Sequence, residues 1–176
     1  MEQLNLDAYI RKVPDFPQKG ILFYDITSVL SAPRAFKYCI DRMAEIYADQ
    51  KIDAVAAIEA RGFIFASPFA CLKGTPLILI RKKGKLPGKT LRKTFELEYG
   101  SAEIEILPAD IKKDSRILLV DDLVATGGTL KASRELLAEA GANVIEVFGV
   151  IGLPFLGYAK KLTGLPVTTL IEYGSE

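Results

Sequence analysis

The sequence is typical of an α/β protein with a mostly parallel β-sheet flanked by helices. Apolar runs without polar alternation, such as residues 54–58 and 117–120, are typical of strands buried on both faces of a parallel sheet. These runs alternate with stretches of helical apolar spacing, which indicates successive strand-helix-strand units. Residues 95–106 alternate polar and apolar side chains around a Gly-Ser turn, so they predict an antiparallel hairpin with one solvated face.

The first 32 residues predict a small N-terminal hood ahead of the main sheet. A short helix is expected at the start, because Pro14, Pro17 and Gly20 then interrupt regular structure. Residues 21–23 follow as an extended apolar segment that leads to Asp25.

From Pro33 onwards, helices and strands alternate through what we expect to be one domain, residues 1–176. Apolar residues at helical spacing predict the helices, and continuous apolar runs predict the strands. The expected order is a helix over 33–47, a strand over 54–58, a helix over 63–72 ended by Gly74, a strand over 76–80, the hairpin, a strand over 117–120, a helix over 130–140 ended by Gly141, and strands over 144–151 and 167–171.

Length and composition exclude several classes of function. The 176 residues suffice for one domain with a single core. With 49% hydrophobic residues, 26% charged residues and a net charge of +1, nothing in the composition calls for a nucleic-acid or membrane partner. The N-terminus has no signal-peptide core, and no run of about eighteen apolar residues occurs, so we expect a cytoplasmic protein.

The chain contains no histidine, which limits the chemistry available to it. Ser-His triads, histidine-ligated metals and histidine acid-base catalysis are excluded, whereas carboxylates, lysine, tyrosine, backbone dipoles and hard cations such as Mg²⁺ remain. Cys39 and Cys71 lie in apolar helical patterns without metal-ligand spacing. We therefore expect reduced thiols in the core rather than a disulfide or a zinc site.

The most informative segment is residues 117–129. Asp121 and Asp122, the acidic pair, follow the buried strand at the end where parallel sheets bind ligands. If the chain stays extended, the two carboxylates project to opposite sides, so at least one faces a crevice where hydroxyl groups or a cation could occupy it. Glycines, threonines and a helix start come next, and their amides and hydroxyls would surround a phosphate. This cradle consists of Ala125, Thr126, Gly127, Gly128 and Thr129.

The cradle differs from the common nucleotide motifs. No lysine follows Gly128, as a P-loop requires, and G-x-G-x-x-G is absent, so nucleoside triphosphates and dinucleotides are disfavoured. Either half of the motif alone would be a helix cap or a plain turn. The two halves in this order predict a sugar-phosphate site.

Residues 117–129 resemble the phosphoribosyl pyrophosphate (PRPP) motif of the type I phosphoribosyltransferases, which has four apolar residues, two acidic residues and an A/S-T-G-G-T loop. The match covers all thirteen positions. The resemblance implies the type I phosphoribosyltransferase fold. It also implies that Asp121 and Asp122 hold the ribose 2′- and 3′-hydroxyls and that the cradle holds the 5′-phosphate.

The turn at residues 59–62 follows the strand at 54–58 and should lie beside the acidic pair at the same sheet edge. A second anion fits there, although the same residues could form a helix start with a surface salt bridge. The resemblance favours the anion, because the family has its pyrophosphate loop at this point. It assigns Ala60 and Arg61 to pyrophosphate binding.

Residues 81–93, the basic segment, contain seven basic residues and no acidic one. Their glycine and proline content argues against a regular element. A solvated loop, a nucleic-acid patch and a lid over a polyanionic substrate are all compatible, but nucleic acid is weakest because aromatic residues are absent. The resemblance favours a flexible lid that excludes water, with Arg81, Lys82 and Lys85 as pyrophosphate contacts, some of them across a dimer interface.

Residues 13–27, 80–88 and 96–100 narrow the resemblance to the adenine-using members of the family. It implies that Phe23 stacks on the base opposite Leu153. The neighbours of Phe23 in the same segment, Leu22 and Tyr24, would supply main-chain contacts.

Main-chain recognition suits adenine, because its exocyclic amine is a donor that needs a carbonyl acceptor, whereas a 6-oxopurine needs a donor. Simple core packing of Phe23 is the alternative explanation. The chain departs from the family at Tyr24, where arginine is frequent, and at Gly152, where an acidic residue is frequent.

The resemblance implies a purine-salvage pentosyltransferase, a homodimer, that converts adenine and PRPP to AMP and pyrophosphate. Arg61 and the acidic pair would act on an oxocarbenium-like transition state, and Mg²⁺ would bridge mainly substrate oxygens rather than protein ligands. Glu98 would manage a proton near the base, or it is a solvated hairpin carboxylate. Two alternatives are a hypoxanthine, guanine or xanthine phosphoribosyltransferase and a non-catalytic PRPP-sensing regulator, although the N-terminus has no room for a helix-turn-helix unit.

Overall fold

The structure is a computed structural model that describes residues 4–96 and 100–175. In chain order the strands are β1 (Arg11–Pro14), β2 (Leu22–Asp25), β3 (Ala54–Ile58), β4 (Leu77–Lys82), β5 (Leu91–Glu96), β6 (Ser101–Ile106), β7 (Arg116–Val124), β8 (Asn143–Gly152) and β9 (Val167–Glu172). The α-helices are α1 (Thr27–Leu30), α2 (Pro33–Ile46), α3 (Arg61–Lys73), α4 (Gly128–Glu139) and α5 (Tyr158–Lys161).

Within the described residues, the main sheet has seven strands in the order β5-β6-β4-β3-β7-β8-β9. The strands from β4 to β9 in this order are parallel, and the antiparallel β5-β6 hairpin joins the edge beside β4. The prediction of a mostly parallel sheet with an antiparallel hairpin is therefore confirmed. Of the expected hairpin, residues 97–99 lie outside the described residues.

Strand β7 shows why its apolar run has no alternation. Ile117 and Leu119 pack on the face covered by α4, whereas Leu118 and Val120 pack on the face covered by α2 and α3. All four side chains are fully buried. Burial of each contributes about 1.5–3 kcal/mol, so the sheet is stabilised from both sides.

The helix ends follow the glycines as expected. Gly74 takes a left-handed conformation (φ +68°) directly after α3, and the Thr75 N–H donates to the Ala70 carbonyl over 3.0 Å. Gly141 (φ +89°) follows α4 in the same way. Both predicted helix ends are confirmed.

The hood contains structure that the sequence did not reveal. The expected N-terminal helix is a short 3-10 turn at Leu6–Tyr9, and β1 and β2 pair as a two-stranded antiparallel sheet. Leu6, Ile26 and Tyr24 are buried in the cluster that α2 and α3 share. The two strands are separated by only seven residues, but Pro14, Pro17 and Gly20 conceal this hairpin in the local sequence pattern.

The prediction that the basic segment forms no regular element is wrong at both ends. β4 continues through Lys82, and β5 begins at Leu91, because both strands pair with β6. Pairing satisfies the main-chain hydrogen bonds and outweighs the local glycine and proline content. The irregular part is limited to residues 83–90, the basic loop.

The two cysteines differ in exposure. Cys39 is buried in α2, and burial raises the pKa of its thiol to about 12. Cys71 is exposed on α3, which corrects the expectation of a core thiol there. Across residues 4–96 and 100–175, no helix is both long and apolar enough to span a bilayer.

Candidate active site

The acidic pair lies where β7 leaves the core. The strand stays extended through both residues, and the Arg61 Nε donates to Asp122 Oδ2 over 2.6 Å. The Asp122 side chain is only 6% exposed, and Arg61 at the start of α3 compensates its charge. Asp121 Oδ1 accepts the N–H of Asp122 over 2.9 Å.

The two carboxyl groups have unequal electrostatic surroundings. Burial, and next the negative charge of Asp122, raise the pKa of Asp121 well above its usual value. Burial acts against the charge on Arg61, but attraction to Asp122 outweighs it and raises the Arg61 pKa. Asp122 and Arg61 thus form an ion pair, and the surroundings of Asp121 favour its protonated form.

Gly62 allows this arrangement, and sequence reasoning did not single it out. A Cβ at Gly62 would stand 2.8 Å from the Val120 carbonyl oxygen and 3.2 Å from Asp121 Cα. Only a residue without a side chain lets α3 start this close to the end of β7. The available signal was a glycine directly after Arg61, between a buried strand and a helical apolar pattern.

The 59–62 turn is held in place by hydrogen bonds from Arg81 and Lys82 to Glu59. The Glu59–Ala60 peptide bond is cis. Arg81 donates to Glu59 from Nε (3.3 Å) and Nη2 (3.0 Å), and the Lys82 N–H donates over 2.9 Å. The hydrogen bond from Arg81 is the main cause that lowers the Glu59 pKa. Arg81 is therefore fixed to the turn, whereas Ala60, Arg61 and Lys82 are exposed.

A cleft of about 470 Å³ lies at this edge of the sheet. Its walls come from the 59–62 turn, the end of β4, the end of β7 and the hairpin. Lys85 is not among the lining residues. The predicted site residues that line it are Ala60, Arg61, Arg81, Lys82, Asp121, Asp122 and Thr129.

All five cradle residues line a second, smaller cavity of about 80 Å³. Gly127 directly precedes α4 in a left-handed conformation (φ +76°), and Tyr158 Cβ lies 3.2 Å from the position of an added Cβ. The helix N-terminus favours an anion there. Asp121, Leu123 and Thr129 line both cavities, so the cradle and the cleft adjoin.

Comparison with known proteins agrees with this geometry. Residues 25–154 match the phosphoribosyl transferase domain family. The chain belongs to this family. Relatives named adenine phosphoribosyltransferase include a Treponema denticola protein, 61% identical over 100% of this chain and 93% of its own. Adenine phosphoribosyltransferase 4 of Arabidopsis thaliana is 51% identical, over 93% of this chain and 90% of its own.

Solved phosphoribosyltransferase structures have the same fold. The adenine phosphoribosyltransferase of Thermoanaerobacter pseudethanolicus has a TM-score of 0.92 and 43% identity, over 96% of this chain and 98% of its own. The Giardia lamblia enzyme, complexed with 9-deazaadenine, has a TM-score of 0.90 and 34% identity, over 96% of both chains. The predicted family and fold are confirmed.

The expected base-pocket residues of this phosphoribosyltransferase lie apart from the cleft lining. Leu22, Tyr24 and Leu153 belong to one hydrophobic cluster. Phe23 instead contacts Phe16 edge to face, with ring centroids 5.0 Å apart. Tyr24 is buried and its ring stacks on Tyr173, so its side chain faces the core. Glu98 lies outside the described residues.

The neighbours of Gly152 account for its departure from the phosphoribosyltransferase pattern. A Cβ at Gly152 would stand 3.0 Å from Thr169 Cγ2 and 3.2 Å from Glu172 Cγ. Glu172 also accepts hydrogen bonds from Tyr158 and Thr169. A larger side chain at position 152 would displace Thr169 and Glu172.

Proposed function

We propose that this phosphoribosyltransferase transfers the phosphoribosyl group of PRPP to adenine and releases AMP and pyrophosphate. The observation that carries the proposal is the pair of adjoining cavities, in which the cradle, the acidic pair and the 59–62 turn follow one another. This order matches the 5′-phosphate, ribose and pyrophosphate of PRPP. The names of relatives up to 61% identical support adenine as the base.

In this reaction a ring nitrogen of adenine forms a bond to the anomeric carbon as the carbon–oxygen bond to pyrophosphate breaks. The bonding electrons leave with pyrophosphate, and positive charge develops on the ribose ring. Asp121 and Asp122 hold the ribose hydroxyls. The positive charge on the ring favours the ionised form of Asp121, so both carboxylates stabilise that charge, while the cradle and the α4 dipole anchor the 5′-phosphate. Catalysis then depends mainly on positioning and electrostatics.

The departing pyrophosphate is held by Ala60, Arg61, Arg81, Lys82 and Lys85. Arg61 and Arg81 are already oriented by Asp122 and Glu59, which supports their assignment as preformed contacts. The exposed side chains of Lys82, at the end of β4, and of Lys85, in the basic loop, add positive charge. The basic segment acts as the lid that excludes water from the carbocation-like centre, so that adenine rather than water reacts.

We also propose Mg²⁺ as the cofactor, carried by substrate oxygens. The cleft lining offers carboxylate oxygens, among them those of Asp121 and Asp122, and Mg²⁺ binds such oxygens together with substrate phosphates. When bound, Mg²⁺ would neutralise charge on pyrophosphate, and Asp121 and Asp122 are carboxylates of the cleft lining that could help to hold it.

The base is held between Phe23 and Leu153, and main-chain groups of Leu22 and Tyr24 recognise its edge. Glu98 manages the proton that the base loses. A single domain with residues 1–32 as the hood, a homodimer and a cytoplasmic location complete the proposal. No observation favours a 6-oxopurine substrate or a PRPP-sensing regulator.

The proposal is tested by a base-competition assay that follows pyrophosphate release with adenine, hypoxanthine, guanine and xanthine, with and without Mg²⁺. We expect AMP from adenine and little turnover of the 6-oxopurines, with activity lost in EDTA. The Asp121→Asn/Asp122→Asn double variant is the inactive control. Faster turnover of a 6-oxopurine, or no turnover of any base, would overturn the proposed function.

A further inference from the structure

Glu105 on β6 is fully buried, yet the proposed chemistry gives it no role. A buried carboxylate is costly unless hydrogen bonds satisfy it. Here four groups donate to it. Its Oε1 accepts the N–H of Lys85 (2.8 Å) and of Leu86 (2.9 Å), and its Oε2 accepts Thr90 Oγ1 (3.2 Å) and Arg92 Nε (3.1 Å).

The four donors come from both sides of the basic loop. Lys85 and Leu86 lie in its first half, Thr90 ends it, and Arg92 lies in the strand beyond it. Burial opposes ionisation of Glu105, but the four donors outweigh burial and lower the Glu105 pKa. One negative charge, covered by the loop, therefore joins the two ends of the loop.

The same contacts continue to the wall of the cleft. Arg81 Nη1 donates to the carbonyl of Lys85 over 2.9 Å, so the main chain of Lys85 is held by Arg81 and by Glu105. Arg81 in turn is paired with Glu59. The shape of the basic loop is thus tied to the turn that we assign to pyrophosphate.

We propose that Glu105 is a positioning residue for the transfer reaction, which holds the basic loop in shape so that its cations meet the pyrophosphate of PRPP. This inference rests on the proposed function. It predicts that loss of Glu105 changes KM for PRPP and not KM for adenine, because the four contacts of Glu105 involve only the basic segment.

The test is Glu105→Gln, which keeps the size of the side chain but removes its charge and turns an NH2 group towards N–H donors. We expect KM for PRPP to rise about tenfold, the effect of one lost hydrogen bond to a charged group, while KM for adenine changes less than about twofold. Hydrogen exchange of the Lys85 and Leu86 amides should accelerate. Unchanged PRPP kinetics in a folded variant would overturn the inference.

Glu139→Gln is the matched control, because Glu139 pairs with Lys93 of the basic segment at the surface, over 2.7 Å. Neutralising that exposed carboxylate should leave both KM values unchanged. If Glu105→Gln does not fold, the Thr90→Val/Arg92→Met variant instead removes two of the four donors to Glu105 and leaves Glu105 in place. A raised KM for PRPP in that variant supports the inference, and wild-type kinetics overturn it.

Failure of the proposed function can be told apart from failure of this inference. If the wild-type chain forms no AMP, the proposed function fails, and the exchange comparison alone tests whether Glu105 holds the loop. Faster exchange of the Lys85 and Leu86 amides in Glu105→Gln then still supports that role. Equal exchange in the variant and the wild type overturns it.

Discussion

At the scale of single residues, the acidic pair shows how two identical side chains acquire different properties. The charge of Asp122 is compensated by Arg61, whose Nε lies 2.6 Å from Asp122 Oδ2, whereas burial and the charge of Asp122 raise the pKa of Asp121. The sequence predicts two carboxylates at this edge. Their inequality depends on α3, which begins 61 positions earlier than Asp122.

Asp121→Asn should raise the free energy of unfolding at neutral pH and lower activity. The raised pKa of Asp121 means that the folded state favours its protonated form. This contribution to stability is fully present below the ordinary aspartate pKa, and it is lost as the pH rises through the raised pKa of the folded state. Asparagine cannot ionise, and the stability gap between variant and wild type should widen from about pH 4 to pH 7 in urea unfolding.

We expect kcat/KM of Asp121→Asn to fall about a hundredfold or more, as when a preorganised electrostatic group is lost. Asp122→Asn is the control, and it should lose stability because it breaks the ion pair with Arg61. Equal or lower stability of Asp121→Asn at every pH would contradict the assignment.

Gly62→Ala should damage the site through close packing. The new Cβ would stand 2.8 Å from the Val120 carbonyl, so α3 must shift and carry Arg61 with it. We expect a loss of about 1–3 kcal/mol in urea unfolding, typical of overpacking, and a lower kcat/KM for PRPP. Gly174→Ala, where an added Cβ meets nothing within 4 Å, should behave like the wild type. The same behaviour in Gly62→Ala would refute the packing argument.

At the scale of elements, the site is made where strands end and helices begin. β3 leads into α3 at the 59–62 turn, and β7 leads through the cradle into α4. Because β3 and β7 are adjacent and parallel, both transitions lie at one edge of the sheet. The strand-helix alternation in the sequence was sufficient to predict this placement.

Gly127→Ala should weaken phosphate binding at the start of α4. A left-handed conformation costs a residue with a side chain about 1–2 kcal/mol, and Tyr158 crowds the added Cβ at 3.2 Å. We expect calorimetry to show weaker AMP binding.

Gly164→Ala is the matched control for Gly127→Ala, because Gly164 has φ +74° and open space around it. It should lose similar stability but retain AMP affinity. If the two variants bound AMP equally well, Gly127 would have no special role in the cradle.

At the scale of the whole molecule, the segment after β9 packs against the hood. Tyr173 stacks on Tyr24 with centroids 3.9 Å apart and donates its hydroxyl to Asp7 over 2.5 Å. Lys12 lies 5.1 Å from the Tyr173 ring centroid. Burial, and next the hydrogen bond to Asp7, raise the pKa of the Tyr173 hydroxyl. The segment after β9 therefore fixes the strand that carries the proposed base contacts.

Tyr173→Leu should loosen the hood and weaken adenine binding selectively. Loss of an aromatic pair and a hydrogen bond amounts to about 1–3 kcal/mol of stability. We expect a higher KM for adenine and an unchanged KM for PRPP, with Tyr173→Phe intermediate because it keeps the stacked ring. A rise in both KM values to the same extent would argue against selective coupling.

Much of the fold and of the site follows from local sequence pattern. Apolar runs, helical spacing and glycines specify the central strands and the ends of α3 and α4, because each depends on residues close together in the chain. The acidic pair and the cradle are contiguous for the same reason, and their order predicts both the family and the phosphate-binding edge.

The tertiary structure was needed for every property that depends on a residue distant along the chain. The strand ends inside the basic segment, the need for glycine at 62, the pKa of Asp121 and the role proposed for Glu105 all arise from residues brought together by folding. Electrostatics and close packing act through space over a few ångströms, whereas residue spacing along the chain records only local conformation.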